Sequence, residues 1–165
     1  MSAQIIIGGE IVLLDSGDLE RISRHRWWLR RSYSSRDMIY IYTQIKRRTV
    51  YLHRYLMNAE NGITVDHIDG SGLNNQRNNL RLATMSQNNA NRSGYNGSTG
   101  YRGVYYKRSK GSYQARISLN GIQRSLGHYA NAVDAGRAYD AAALRVFGEF
   151  AHLNFPASAT THGAA

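Results

Sequence analysis

The chain has 165 residues, enough to bury a real core in one or two small domains. It carries 21 Lys and Arg against 11 Asp and Glu, a formal net charge of +10. It has no cysteine, which excludes disulfides and thiolate zinc sites. The six histidines, His25, His53, His67, His128, His152 and His162, are scattered without paired metal spacing. Its longest apolar runs, such as Ile5–Ile7 and Ile11–Leu14, are far too short to span a bilayer. The start, MSAQIIIGGE, lacks the charged leader and long apolar core of a signal peptide, so a soluble intracellular protein with no membrane partner is expected.

Residues 4–14 read as a β-hairpin in which Gly8-Gly9 separates two apolar runs. Ser16, Leu19 and Ile22 predict a helix over 17–25, capped by Ser16 and acidic in its first turn at Asp18 and Glu20. Charge is uneven. Residues 1–20 hold four acidic and no basic residues, whereas residues 21–54 hold ten basic residues and only Asp37 as an acid. Such a block suits a solvated helix face, an anionic membrane or a phosphate backbone. The interleaved Trp27, Trp28, Tyr33, Tyr40, Tyr42 and Tyr51, with no membrane anchor, favour nucleic acid. Met38–Gln44 and Thr49–Leu52 alternate as two strands around the basic turn Lys46, Arg47 and Arg48, which are candidate phosphate contacts.

Residues 65–89, VDHIDGSGLNNQRNNLRLATMSQNN, carry the clearest chemistry. An Asp66–His67 pair is followed twelve residues after His67 by Asn79 and nine after that by Asn88. A carboxylate and a carboxamide can hold one divalent metal beside an imidazole able to deprotonate water. Few hard oxygen ligands, with room for water and phosphate, are what magnesium-type ions prefer. An imidazole titrates near neutrality and can serve as a general base. Thr84-Met-Ser-Gln87 is a capping box, so a short helix should begin at Met85 with Asn88 in its first turn, and the strand carrying Val65 should end at Asp66–His67. The bland alternative is a solvated turn region rich in Asn, Asp and Gly.

This stretch resembles the HNH endonuclease motif, the ββα-metal or His-Me finger, in its phage and intron-encoded form, over roughly residues 50–92. The resemblance implies that Asp66 is the first metal ligand, His67 the general base and Asn79 the central Asn that pins the loop. Asn88 matches the helix-borne second ligand, where many members carry His. His53, in YLHRYL, matches a recurrent family position and is an accessory candidate. Mg2+ or Mn2+ is the implied cofactor, and a structural zinc is not expected. The opening segment runs without a break into the motif, so residues 1–92 are expected to form one α+β unit.

Residues 93–100, SGYNGSTG, read as a linker. Beyond them YRGVYYK, YQARISL and IQRSLGHY are three strand candidates, and Asn120-Gly121 is a strong two-residue hairpin signal. Asn131 should cap a helix running to Gly148, with Ala132, Ala135, Gly136, Tyr139, Ala142 or Ala143, and Val146 on its buried face. Alternation turns Ala115, Ile117 and Leu119 toward that helix and Gln114, Arg116 and Ser118 outward. Val104 and Leu126 face in; Tyr105, Lys107, Gln123 and Ser125 face out, and Arg124 is ambiguous. Arg102 shares Val104's parity, so an outward Arg102 would need a bulge, which Gly103 could supply. The tail, 156–165, is expected to be disordered.

YRGV, YQARISLNG and LGHYANAVDAGRAYDAAALRVFGEFAHLNF resemble the plant ethylene-response-factor (APETALA) DNA-binding domain over about residues 101–155, a domain also known fused to phage HNH nucleases. The resemblance implies a three-stranded antiparallel sheet packed on one helix, with its open face in the DNA major groove. Arg102, Tyr105, Lys107, Arg116, Ser118, Gln123, Arg124 and Ser125 are then the DNA-binding candidates. Tyr105, Ser118, Gln123 and Ser125 depart from the family's Arg and Trp, so the plant target sequence is not carried over. The segment nets 8 basic minus 3 acidic residues, or +5, which suits double-stranded DNA. The expectation is an α+β, metal-dependent, homing-type endonuclease, acting as a monomer that nicks one strand in the cytoplasm of a bacterial or phage-infected cell. Its rivals are a DNA-binding regulator with a vestigial nuclease unit and a structure-guided RNA nuclease.

Overall fold

Gly8 and Gly9, both at positive φ (60° and 86°), turn β1 (Ser2–Ile7) back on β2 (Glu10–Asp15) in an antiparallel hairpin. The computed structural model describes residues 1–31, 38–92 and 97–156, and its contacts divide the chain into two units, Met1–Asn88 and Asn89–Ala165. Tyr33, Arg36 and Asp37 of the basic block, residues 93–96 of the expected linker and residues 157–165 of the expected tail lie outside the described residues.

The helix expected over 17–25 is shorter than its pattern suggests. Ser16–Asp18 forms a 3-10 turn, and α1 covers only Leu19–Ser23. Ser16 is no cap, because its hydroxyl donates to the Met1 carbonyl at 2.8 Å, across the end of the β1–β2 pair. The next three strands, β3 (Trp28–Arg31), β4 (Ile39–Ile45) and β5 (Arg48–Tyr51), form one antiparallel sheet in that order. Of the three expected turn residues, Lys46 and Arg47 take left-handed φ (48° and 63°), so the turn is two residues long and Arg48 already pairs with Ile45. The last expected strand stops at Tyr51. Leu52 instead opens α2 (Leu52–Leu56), whose i, i+4 leucines are fully buried.

Those two leucines join Val12, Leu14, Ile41, Val65 and Leu80 in the core of the first unit. Burying one such side chain is worth roughly 1.5–3 kcal/mol, so strands only four residues long are held by the core behind them. The unit is completed by an antiparallel pair, β6 (Thr64–His67) and β7 (Leu80–Ala83), and by the start of α3 (Met85–Asn91), which runs past the boundary at Asn88.

In the second unit β8 (Val104–Lys107), β9 (Ser112–Leu119) and β10 (Ile122–Tyr129) form an antiparallel sheet in the order β10-β9-β8. Asn120 and Gly121 (φ 51° and 80°) make the β9–β10 turn. The α4 helix (Ala132–Phe147) begins where Asn131 accepts the Asp134 N–H at 2.8 Å and stops before Gly148. Its small residues Ala135, Gly136 and Ala143 are buried, and Ala135 packs with Val104 and Ala115. Val146 is exposed, and Phe147 takes the buried place at i+4 from Ala143. A bulge between Ser125 and Gly127 lets Leu126 pack inward while Ser125 stays outward.

Arg102 does not reach the outward face of this sheet. Its Nε donates to the Tyr139 hydroxyl at 2.9 Å, Nη2 to the Asn89 carbonyl at 2.6 Å and Nη1 to the Arg92 carbonyl. Its backbone N–H donates to Asn154 Oδ1 at 2.6 Å. Gly103 sits at φ +71°, and a Cβ there would meet Tyr139 Cδ2 at 2.1 Å and the Arg116 carbonyl oxygen at 2.7 Å. Gly103→Ala should therefore lower the urea midpoint of the second unit more than Asn131→Ala, whose lost cap costs about 1 kcal/mol. Equal losses would contradict this packing.

Candidate active site

Because strand residues alternate, Val65 faces the core while its neighbour Asp66 meets Arg81 across the β6–β7 pair. Both Nε and Nη2 of Arg81 lie 2.9 Å from Asp66 Oδ2. Only 6 % of the Asp66 side chain and 12 % of the Arg81 side chain are exposed. A pair this buried is costly to break from one side, because the remaining charge stays desolvated.

His67 ends β6 opposite Leu80 and is 7 % exposed. Its ring stands edge-on to His53 of α2, with centroids 5.0 Å apart at 70°. Asn75 Oδ1 is 3.4 Å from its Nε2. Burial pushes the His67 pKa below its ordinary value; the Asn75 hydrogen bond and the charges of Asp69 and Asp66 oppose the shift without reversing it. Burial, with His67 and Arg54 adding to it, pushes His53 down to about 3. Both imidazoles are neutral at pH 7. With Nε2 donating to the Asn75 carbonyl oxygen, the lone pair of His67 sits on Nδ1.

The chain between β6 and β7 is braced by its own amides. Asn79 Oδ1 accepts the Asp69 N–H at 3.1 Å, and its Nδ2 donates to Asp69 Oδ1 at 2.9 Å and to the Asn74 carbonyl at 2.8 Å. Asp69 also accepts from the Ser71 N–H (2.8 Å) and from Asn74 Nδ2 (2.7 Å). Desolvation raises the Asp69 pKa, but the hydrogen bonds from Ser71, Asn79 and Asn74 outweigh it and hold the pKa below the usual carboxylate value. Asn75, 0 % exposed, donates Nδ2 to the Gly72 carbonyl at 3.1 Å and its N–H to Leu13 of β2 at 2.7 Å. Arg77 closes the far end on buried Asp18, Nε and Nη2 donating to its two oxygens at 3.0 and 2.6 Å.

At the start of α3 the expected capping box is present. Thr84 Oγ1 accepts the Gln87 N–H at 3.2 Å, and Gln87 Oε1 accepts the Thr84 N–H at 2.8 Å. Half-buried Asn88 follows in the first turn, its N–H donating to the Thr84 carbonyl at 3.0 Å. Among the described residues no group of three or more His, Cys, Asp or Glu gathers to hold a metal. Of the two expected ligands, Asp66 offers a carboxylate whose Oδ2 faces Arg81, and Asn88 offers a carboxamide. That sparse, hard donor set fits a magnesium-type ion that keeps waters and takes substrate oxygens.

The other sequence candidates are distributed as follows. Asp66 and His67 are adjacent on β6, with His53 against His67, while Asn79 lies in the loop and Asn88 on α3. Lys46, Arg47 and Arg48 are exposed at the β4–β5 turn. On the second unit Tyr105, Ser118, Gln123, Arg124 and Ser125 are exposed and Lys107 is half-buried. Arg116 lies 5.4 Å from the Tyr105 ring centre and donates to Gln114 Oε1 at 2.9 Å. Sequence reasoning missed Arg81, Asp69 and Asn75. The register Asp66↔Arg81 would have revealed the first, whereas the burial of Asn75 against His67 leaves no local signal.

A polar loop pinned between two short strands, which a capped helix follows, carries a neutral imidazole beside a carboxylate. The chain matches the HNH endonuclease family over residues 50–90. It is 32 % identical over 139 residues to an uncharacterized HNH endonuclease of Acanthamoeba polyphaga mimivirus, covering 81 % of this chain and 68 % of that protein. The chain belongs to the HNH endonuclease family and is a nuclease. Among the described residues no helix is long and apolar enough to cross a membrane.

The histidine pair has a measurable consequence. Between the unfolded value of 6.5 and the folded value of about 3, the unfolded chain binds a proton that folded His53 refuses. The stability of the first unit should therefore fall as pH drops through that window, by up to about 1.4 kcal/mol per pH unit, and stay flat above it. Urea midpoints taken from pH 7 to pH 4.5 should fall less steeply in His53→Phe. Parallel slopes would refute the assignment.

Proposed function

We propose that the protein is a metal-dependent DNA endonuclease of homing type that nicks one strand of a duplex, with His67 as general base. The observation that carries this reading is the buried, neutral His67 imidazole at the end of β6, next to the Asp66 carboxylate. In this scheme Asp66 and Asn88 would hold a divalent ion, Mg2+ or Mn2+. When bound, the ion would supply Lewis-acid stabilisation of the charge that builds on the phosphate and the departing 3′-oxygen. His67 removes a proton from the attacking water. Asn75 fixes the tautomer, Asn79 keeps the loop closed beneath, and Arg81 orients Asp66. His53 packs against His67 as an accessory group.

Residues 101–155 then act as the site reader, following their likeness to the APETALA domain. The outward row Tyr105, Arg116, Ser118, Gln123 and Ser125 meets the major groove, with Lys107 and Arg124 beside it and Lys46, Arg47 and Arg48 on phosphate. Arg102 serves as a brace of the second unit, in line with its three carbonyl and hydroxyl partners. One metal site per monomer processes one strand per encounter, so nicked circles are the expected product. The setting is an infected or element-bearing host cell.

On supercoiled plasmid with Mg2+, His67→Ala should lose on the order of 10²–10⁴-fold in nicking rate with DNA affinity nearly intact. EDTA should silence the wild type without unfolding it. Undiminished turnover in His67→Ala, or cleavage in EDTA, would sink the mechanism.

The reader assignment has its own test. Arg116→Ala should lose about 1–3 kcal/mol of discrimination between target and scrambled duplex. Arg102→Ala should lower the unfolding midpoint instead. Full selectivity in Arg116→Ala would move specificity elsewhere.

A further inference from the structure

The outer face of the β3–β4–β5 sheet is built for bases as well as for phosphates. Its register lines up Trp28, Tyr42 and Tyr51 across three strands, with Arg30 beside Tyr40. The opposite face carries Ile41 and Thr43, both almost fully buried. Trp28 is 38 % exposed although it lies in the middle of a basic run. The Trp28 and Tyr42 rings are 6.0 Å apart and only 33° from parallel. Guanidinium groups flank them, Arg26 at 5.9 Å from the Trp28 ring and Arg30 at 5.6 Å from the Tyr42 ring. The described residues of these strands and their Lys46–Arg47 turn include no acidic side chain, and Arg31, of opposite parity, is paired with Glu10.

This row leads to the reacting centre. The Tyr51 ring stacks on His53 at 5.8 Å and 20°, Tyr40 lies 5.9 Å from His53, and His53 abuts His67. Flat aromatic rings on a strand face, alternating with guanidinium groups, are what unpaired bases stack on. A closed duplex offers its phosphates but hides its base faces.

We propose that the Trp28–Tyr42–Tyr51 face is a stacking platform for single-stranded DNA, which holds an unpaired stretch beside the phosphate that His67 attacks. Arg26, Arg30, Lys46 and Arg47 follow the backbone of that strand while Trp28 and Tyr42 stack on its bases. This inference rests on the nuclease reading above and adds that the enzyme engages opened DNA next to the cut.

The test uses the full-length chain in EDTA, so that binding is read without cleavage. Oligothymidylate should quench the tryptophan fluorescence of the wild type and bind measurably. Trp28→Ala should lose on the order of tenfold in affinity for it, and Tyr42→Ala a similar factor. Trp28→Phe should retain most of the affinity, and neither Trp28 variant should change the salt slope, since no charge is removed. Affinity for a closed duplex of the same length should stay within a factor of about two in Trp28→Ala. Urea midpoints identify any variant that is merely unfolded, and Trp28→Phe keeps the test valid if Trp28→Ala is. Wild-type binding of oligothymidylate by Trp28→Ala and Tyr42→Ala, or equal losses on duplex and single strand, would overturn the platform while leaving the nuclease intact. A wild type that neither binds oligonucleotides nor nicks plasmid would instead remove the nuclease reading itself.

Discussion

The structure of the candidate site depends on closing a polar loop in which Leu73 packs against the core and amides brace the rest. Residues 68–79 are mostly Gly, Asn, Asp and Ser, and they carry their own scaffold in the form of Asn79. One carboxamide makes three hydrogen bonds, to Asp69 N–H, Asp69 Oδ1 and the Asn74 carbonyl. Each bond is worth only about 1 kcal/mol net, but buried donors left unmade cost more, so the three act together. Below them Gly72 is pressed so close to β4 that a Cβ would lie 1.8 Å from the Ile39 carbonyl oxygen. No other residue fits there without moving the strand.

The closed loop delivers Asn75 to His67, and the rest of the chemistry follows from that delivery. A buried imidazole with one nitrogen committed to a carbonyl oxygen presents the other as a lone pair. Burial keeps it unprotonated at neutral pH. The same burial forces the adjacent Asp66 charge to take a partner, which Arg81 supplies across the β6–β7 register. Ion pair, neutral imidazole and pinned loop are therefore consequences of one packing arrangement. In the proposed mechanism the carboxylate and the imidazole have separate tasks because their surroundings differ, one facing a guanidinium and the other facing the His53 ring.

Turn chemistry made much of the fold legible. Gly8-Gly9 and Asn120-Gly121 marked their hairpins, and Asn131 and Gly148 bounded α4, because each residue type solves a local backbone problem. The elements that stayed hidden are those held by distant partners. WLRR is a strand only because Tyr42 and Ile41 lie beside it, and LRLA only because β6 does. LHRYL makes a single helical turn with no side-chain cap, and its two leucines reveal it only once the core is known. Arg102 entered the DNA-binding candidates through the family resemblance, against its strand parity, and its hydrogen-bond partners lie between ten and 52 residues away, where no local pattern shows them. Asp66, His67, Asn79 and Asn88 stood out by type and spacing, while Asn75 looked like any other loop amide. Its importance comes from burial, which spacing does not encode.

The central claim is that a divalent ion on Asp66 and Asn88 brings a DNA phosphate to His67. Crystals grown with an uncleaved duplex and Mn2+, with data collected at the manganese edge, test it most directly. The account predicts one anomalous peak bonded to an Asp66 carboxylate oxygen, the Asn88 carboxamide oxygen and a phosphate oxygen, with His67 Nδ1 within hydrogen-bond reach of a water opposite the leaving 3′-oxygen. A manganese peak held by other side chains, with the phosphate away from His67, would contradict it.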